Sequence, residues 1–100
     1  MSYQIEIRPG AHQDIADAAT WYEEREQGLG DRFIREVVAA VDALPGNPLI
    51  YRVRHKRTGA RWCFPEHFPH RIVFSVVGDW IRIVAVTHAK RHDRNWRGRM

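Results

Sequence analysis

The sequence predicts an α+β fold in the order β-α-α-β-β-β, with a helical hairpin packed on one face of a mostly antiparallel sheet. Three observations predict it. Residues 3–8 alternate apolar and polar with a period of two. Residues 11–44 change to a spacing of three and four, interrupted once around Gly28-Leu29-Gly30. Residues 60–88 return to strand-like runs, divided by Pro65-Glu66-His67-Phe68-Pro69 and by Gly78-Asp79. The chain of 100 residues suits one domain over 1–100 and leaves no room for a second core. Its 44% hydrophobic and 28% charged residues fit a folded chain and argue against disorder.

Each element has its own justification. In Tyr3-Gln4-Ile5-Glu6-Ile7-Arg8, alternation puts Tyr3, Ile5 and Ile7 on one face of a strand that Pro9-Gly10 interrupts. Ala11, Ile15, Ala18, Ala19 and Tyr22 then form the stripe of an amphipathic helix, small enough for a neighbour to approach closely. Gly28 is expected to close that helix in the left-handed conformation, and Asp31 to cap the next. Phe33, Ile34, Val37, Val38, Val41 and Leu44 give the second helix its stripe, and Pro45-Gly46-Asn47-Pro48 stops it. Two helices joined by so short a turn must fold back as a hairpin.

Leu49–Lys56 reads as a strand or an extended loop, because Tyr51, Val53 and His55 alternate with Arg52, Arg54 and Lys56. Ala60–Phe64, His70–Val77 and Trp80–His88 read as strands, the last two joined by the hairpin signal Gly78-Asp79. In the last strand, Ile81, Ile83 and Ala85 are expected on one face and Arg82, Val84, Val86 and His88 on the other. Both of these strands are apolar on two faces in their middle, so both are expected to be central or covered.

Composition excludes several function classes. No apolar run nears the roughly 20 residues that span a bilayer, so no membrane role is expected. The lone Cys63 excludes an internal disulfide and a CxxC metal site, and the first residues lack a secretory stretch, which together suggest the cytoplasm. No histidine pair has ligand spacing backed by carboxylates, and His67-Phe68-Pro69-His70 lies in a proline-bearing loop. No metal and no cofactor are expected.

Charge is the informative feature. Residues 1–50 carry 4 basic and 9 acidic side chains, while residues 51–100 carry 12 basic and 3 acidic ones. Five of the six histidines also fall in the second half. Such a footprint attracts RNA, DNA or an acidic protein, and its groups are expected on the uncovered face of the sheet or around its rim.

Five ordered stretches carry a resemblance: Ala18-Ala19-Thr20-Trp21-Tyr22-Glu23-Glu24, Gly28-Leu29-Gly30-Asp31-Arg32-Phe33, Leu44-Pro45-Gly46-Asn47-Pro48, Phe68-Pro69-His70-Arg71-Ile72-Val73-Phe74, and the close Ala85-Val86-Thr87-His88-Ala89-Lys90-Arg91-His92-Asp93-Arg94-Asn95-Trp96. Together they resemble the RelE/ParE superfamily of toxins from bacterial type II toxin–antitoxin systems, over nearly the whole chain. The resemblance implies a growth-inhibiting protein neutralised by a cognate antitoxin. It leaves two targets open, since RelE-like members cut mRNA on the ribosome and ParE-like members poison DNA gyrase.

Cleavage of the RelE kind needs a group to stabilise phosphorane charge and an acid or base, with no metal. Arg61, Arg71 and His88 are the candidates, and Arg71 matches the place of a phosphate-binding arginine in RelE-like toxins. The close Asn95-Trp96-Arg97-Gly98-Arg99-Met100 lacks the tyrosine of many such enzymes, and segment 52–61 lacks their strand lysine pair. The Trp-Tyr and Gly-Leu-Gly-Asp-Arg-Phe hairpin and the Thr87–Arg91 stretch followed by Trp96 are closer to ParE. On that reading Arg71, His88, Lys90, Arg91 and Trp96 meet the target, and Trp21, Tyr22 and Phe33 meet the antitoxin. A third reading is a decayed toxin that serves only as its antitoxin's partner.

Overall fold

The computed structural model describes residues 2–90 and 94–100. Four strands form one mixed sheet: β1 (Gln4–Ile7), β2 (Arg61–Cys63), β3 (His70–Val77) and β4 (Trp80–His88). Their spatial order is β1-β4-β3-β2, with β1 parallel to β4 and the other two pairings antiparallel. Two helices, α1 (Pro9–Arg25) and α2 (Leu29–Ala43), lie side by side on one face. A single-turn helix, α3 (Arg94–Arg97), carries Trp96 into a small core on the other face.

The helix starts differ from the sequence reading. Pro9-Gly10 does end β1, but the helix opens at Pro9 itself rather than at Ala11, with Pro9 in the first turn, where a missing N–H costs nothing. Gly28 does not close α1, which ends at Arg25. It precedes α2 in the left-handed region at φ 89°. Nor does Asp31 cap α2. The Glu23 carboxylate does, accepting Gly28 N–H at 2.9 Å and Gly30 N–H at 3.0 Å. A carboxylate also suits the positive end of the helix dipole. The hairpin itself delivers Glu23 there, so no local cap motif signals it.

The two helices meet closely at Gly30, where a Cβ would fall 2.5 Å from the Ala19 carbonyl oxygen. Phe33, Val37 and Val41 of α2 then pack with Ala11 and Ala19 of α1 onto Ile72, Phe74, Ile81 and Ile83. Ile34 and Val38, expected in the same stripe, are 39% and 48% exposed. Each lies about 100° around the helix from its buried neighbour, beyond the sheet's reach.

After α2, two 3₁₀ turns (Leu44–Gly46 and Pro48–Ile50) lead into irregular chain with one isolated bridge, His55 to Ala60. Residues 49–56 are therefore loop, and the edge strand is three residues long rather than the expected five. β3 and β4 have the bounds the sequence predicts. Their register slips once, pairing Val73 with Ala85 but Phe74 with Ile83, so that Val84 is an extra residue. The bulge overturns simple alternation: Ile81, Ile83 and Val86 face the helices, while Ala85 faces away.

Ala85 joins Ala60, Val73 and the fully buried Trp96 in the second core, with Trp62 packed beside it. The Trp62 and Trp96 rings meet edge to face at 6.2 Å, and His55 meets Trp96 at 5.7 Å. A buried tryptophan removes on the order of 200 Å² from water, worth about 5 kcal/mol.

Gly30→Ala is expected to lower stability by about 1–3 kcal/mol through the clash with α1. Gly28→Ala meets no atom and is expected to cost about 1 kcal/mol from its backbone conformation alone. Urea titration of both variants checks the order, and a Gly28→Ala loss larger than that of Gly30→Ala would contradict the close crossing.

Candidate functional site

β1 covers only the first half of the outer edge of β4. The ladder ends where Ile7 meets Ile83 and Arg8 N–H donates to the Ile83 carbonyl at 2.9 Å. Past that point Val86 N–H turns to the Asp14 carboxylate of α1, at 3.0 Å. Arg99 grips the same carboxylate with both terminal nitrogens, at 2.7 and 3.2 Å, and also donates to the Val84 carbonyl at 3.2 Å. The Asp14 hydrogen bond raises the Arg99 pKa, against the opposing effect of burial. Gly10 leaves room for this guanidinium, since a Cβ would lie 3.1 Å from its Nη1. One clasp thus ties α1, the bulge of β4 and the chain's last residues.

On the helix side, a cleft of about 600 Å³ opens between α1 and the end of β4, lined by Trp21, Tyr22, His70, His88 and Lys90, with Asp14 and Asp17 on its acidic wall. Its floor is aromatic. Tyr22 lies 5.3 Å from Phe33, 4.8 Å from Phe68 and 5.7 Å from His70. Burial pushes the Tyr22 phenol pKa up. Trp21 is 51% exposed, with the Arg25 guanidinium stacked 3.4 Å above its ring. His88 accepts Lys90 N–H at Nδ1, at 3.1 Å, and its ring meets His70 at 5.4 Å.

On the opposite face, a cleft of about 820 Å³ runs beside the second core, between the 55–59 loop, β3, β4 and the last residues. Arg8, Arg57, Arg82, Arg97 and Arg99 line it. Next to it Arg54 and Arg71 lie over the Trp62 ring at 5.2 and 4.8 Å. Arginines of the basic half therefore gather on the face opposite α1 and α2, although Arg61 and Lys90 of the same half lie on the helix side. Arg8 comes from the acidic half, and only the parallel pairing of β1 with β4 brings it to the face opposite the helices.

The residues singled out in the sequence divide between these surfaces. Arg71 lies on the second face and donates to the Ala89 carbonyl at 2.6 Å. His88 and Lys90 sit at the same end of the sheet but on the helix side. Arg61 also points to the helix side, where it donates to the Tyr51 carbonyl. Arg61, Arg71 and His88 thus do not converge on one point. Trp96 is fully buried and has no surface to offer a partner. Phe33 is likewise buried, Tyr22 half-buried, and Trp21 open to solvent. Arg91 lies outside the described residues. Arg57, Arg82 and Arg99 were legible only as members of a basic half, and Arg82 by its place on the polar side of a strand.

Two further groups have environments that fix their chemistry. Burial acts to raise the Glu36 pKa, but hydrogen bonds from the His67 ring, the His67 backbone N–H and Arg32 outweigh it and hold it low. The two His67 bonds, at 3.0 and 2.8 Å, pin the 65–69 loop to α2, and the Arg32 bond, at 2.9 Å, lies within the helix. Burial pushes the Cys63 thiol up to about 12, which removes its thiolate at neutral pH.

Two helices packed on one face of a mixed four-stranded sheet match the fold of a ParE-like toxin. The family described as "ParE toxin of type II toxin-antitoxin system, parDE" matches residues 5–93. Among solved structures, a chain from the "Chromosomal ParDE TA system from P. aeruginosa" is similar, with a TM-score of 0.70 and 18% identity over 86% of this chain and 95% of that one. No curated protein sequence matches significantly. The chain belongs to the ParE toxin family of type II toxin–antitoxin systems.

The stability that Glu36 contributes is fully present above its unfolded-state pKa and is lost as pH falls through its depressed native value. Glu36→Gln should therefore flatten the acid limb of the stability–pH profile, which urea titrations from neutral to acid pH will show. Cys63 should resist thiol reagents in the native state and react once the chain unfolds, so its labelling rate in urea should follow the unfolding curve.

Proposed function

We propose that this protein arrests growth by inhibiting DNA gyrase and is held inactive by a cognate antitoxin. The observation that carries the reading is the ParE match across residues 5–93, nearly the whole fold. The separation of Arg61, Arg71 and His88 favours it over mRNA cleavage, which needs its charge-stabilising and proton-transferring groups around one phosphate. Contact with the target falls to Arg71, His88 and Lys90 at one end of the sheet, with Arg91 following them in sequence. Trp96 supports that end from within the second core.

The antitoxin partner fits the helix side. Trp21 presents an aromatic surface at the mouth of the helix-side cleft, and Ile34 and Val38 remain exposed on α2. An amphipathic segment that orders on binding can bury such side chains, with Tyr22 and Phe33 forming the floor beneath. The antitoxin would then engage the cleft that holds His88 and Lys90.

Supercoiling by purified gyrase, with and without the protein, tests the target, and inhibition is expected. Lys90→Ala should weaken it by about tenfold, as loss of one central contact does. Ribosome-dependent cuts in a translated mRNA, abolished in Arg71→Ala, would instead establish the nuclease. For the partner, Trp21→Ala should weaken co-purification with the product of the adjacent reading frame, and an unchanged complex would move the antitoxin off this surface.

A further inference from the structure

We propose that the cleft on the second face binds the phosphodiester backbone of a nucleic acid strand, without reading its bases. The inference goes beyond gyrase inhibition and does not depend on it. Its first support is the lining: five arginines and no lysine. The guanidinium fork matches a pair of phosphate oxygens, and each group stays charged at any working pH.

The second support is how these groups are held. Arg82 and Arg8 share the Glu6 carboxylate at 3.3 and 3.8 Å, and Arg99 is fixed by Asp14. Two carboxylates thus position three of the five guanidiniums and leave an excess of positive charge. Arg57 is exposed on the 55–59 loop and has no ion pair among the described residues. It is the group most available to an incoming anion. Arg54 and Arg71 over Trp62 continue the cationic strip along the same face.

The third support separates a nucleic acid from an acidic peptide. Arginine donates hydrogen bonds and accepts none. A peptide brings a backbone N–H with every residue, and none of these finds an acceptor among the guanidiniums. The phosphates of a strand bring acceptors only, so each phosphate contact meets a donor. The neutral polar side chains of the lining are His55 and Thr58, bonded to each other at 2.8 Å, and the buried Ser75, so none is set to read a 2′-hydroxyl or a base edge and DNA and RNA of equal length should bind alike.

Fluorescence anisotropy of the full chain with labelled oligothymidylate and oligouridylate, about 20 nucleotides each, tests this. Three phosphate contacts should give a slope of log K against log salt near −2, a loss of roughly 16-fold between about 50 and 200 mM. Arg57→Gln should make the slope shallower by about 0.7, and Arg57→Glu should weaken binding further. Arg35→Gln, on the exposed side of α2, should change neither. Circular dichroism melts confirm that each variant folds, and because Arg57 is exposed and has no ion pair among the described residues, its loss leaves the core intact. Salt-insensitive binding, no binding, or binding unchanged in Arg57→Glu would overturn the proposal. So would a glutamate-rich peptide of equal charge that binds more tightly, a strong preference for RNA, or displacement by an equimolar nucleoside triphosphate. Gyrase inhibition, read separately, can persist or vanish in Arg57→Glu without altering these outcomes.

Discussion

The central pair of strands must be covered on two faces, and the chain has little left with which to do it. β3 and β4 are buried through most of their length on both sides. Both helices are spent on one face. The other is covered by a minimal device: one tryptophan on a single helical turn, set against Ala60, Val73 and Ala85. Small residues beneath a large ring allow close contact with few atoms. The bulge at Val84 makes this possible, because it sends Ala85 to the second face and Val86 to the first. Without it, the larger valine would stand where the tryptophan needs room.

That economy leaves the tail to be held by polar groups. The Asp14 carboxylate satisfies a strand N–H that has lost its partner strand, and it also anchors Arg99. A buried strand donor left unpaired would cost about 1–3 kcal/mol, so the clasp closes the edge of the sheet as well as fixing the chain end. Glu23 plays the same part at the start of α2. Both acids belong to the acidic half of the sequence, so part of its charge is structural.

The same layering divides the molecule electrostatically. The layer of α1 and α2 takes most of the acidic side chains, and the face that Trp96 covers takes arginines. A partner that binds the helices and one that binds the second face would see different chemistry and need not exclude each other. The end of the sheet, where Arg71 reaches Ala89 beneath His88 and Lys90, is where the two surfaces meet.

Periodicity alone determined the order of the main elements, the bounds of β3 and β4, and most of the buried stripe of each helix, because these depend on residues two, three or four apart. The five ordered stretches shared with the toxin superfamily were also legible in one dimension. Only the tertiary structure decided which acid caps α2, that Asp31 does not, that Ile34 and Val38 face solvent, and that Ala85 leaves the side of Ile81 and Ile83. It also decided that Arg61 and Arg71 lie on opposite faces and that Arg8 joins the arginines of the second half. The reason is the same throughout. A local pattern fixes the direction of a side chain relative to its own helix or strand. The choice among candidate partners, and the parity of a strand beyond a bulge, depend on contacts between residues as far apart as Asp14 and Arg99, which no local pattern encodes.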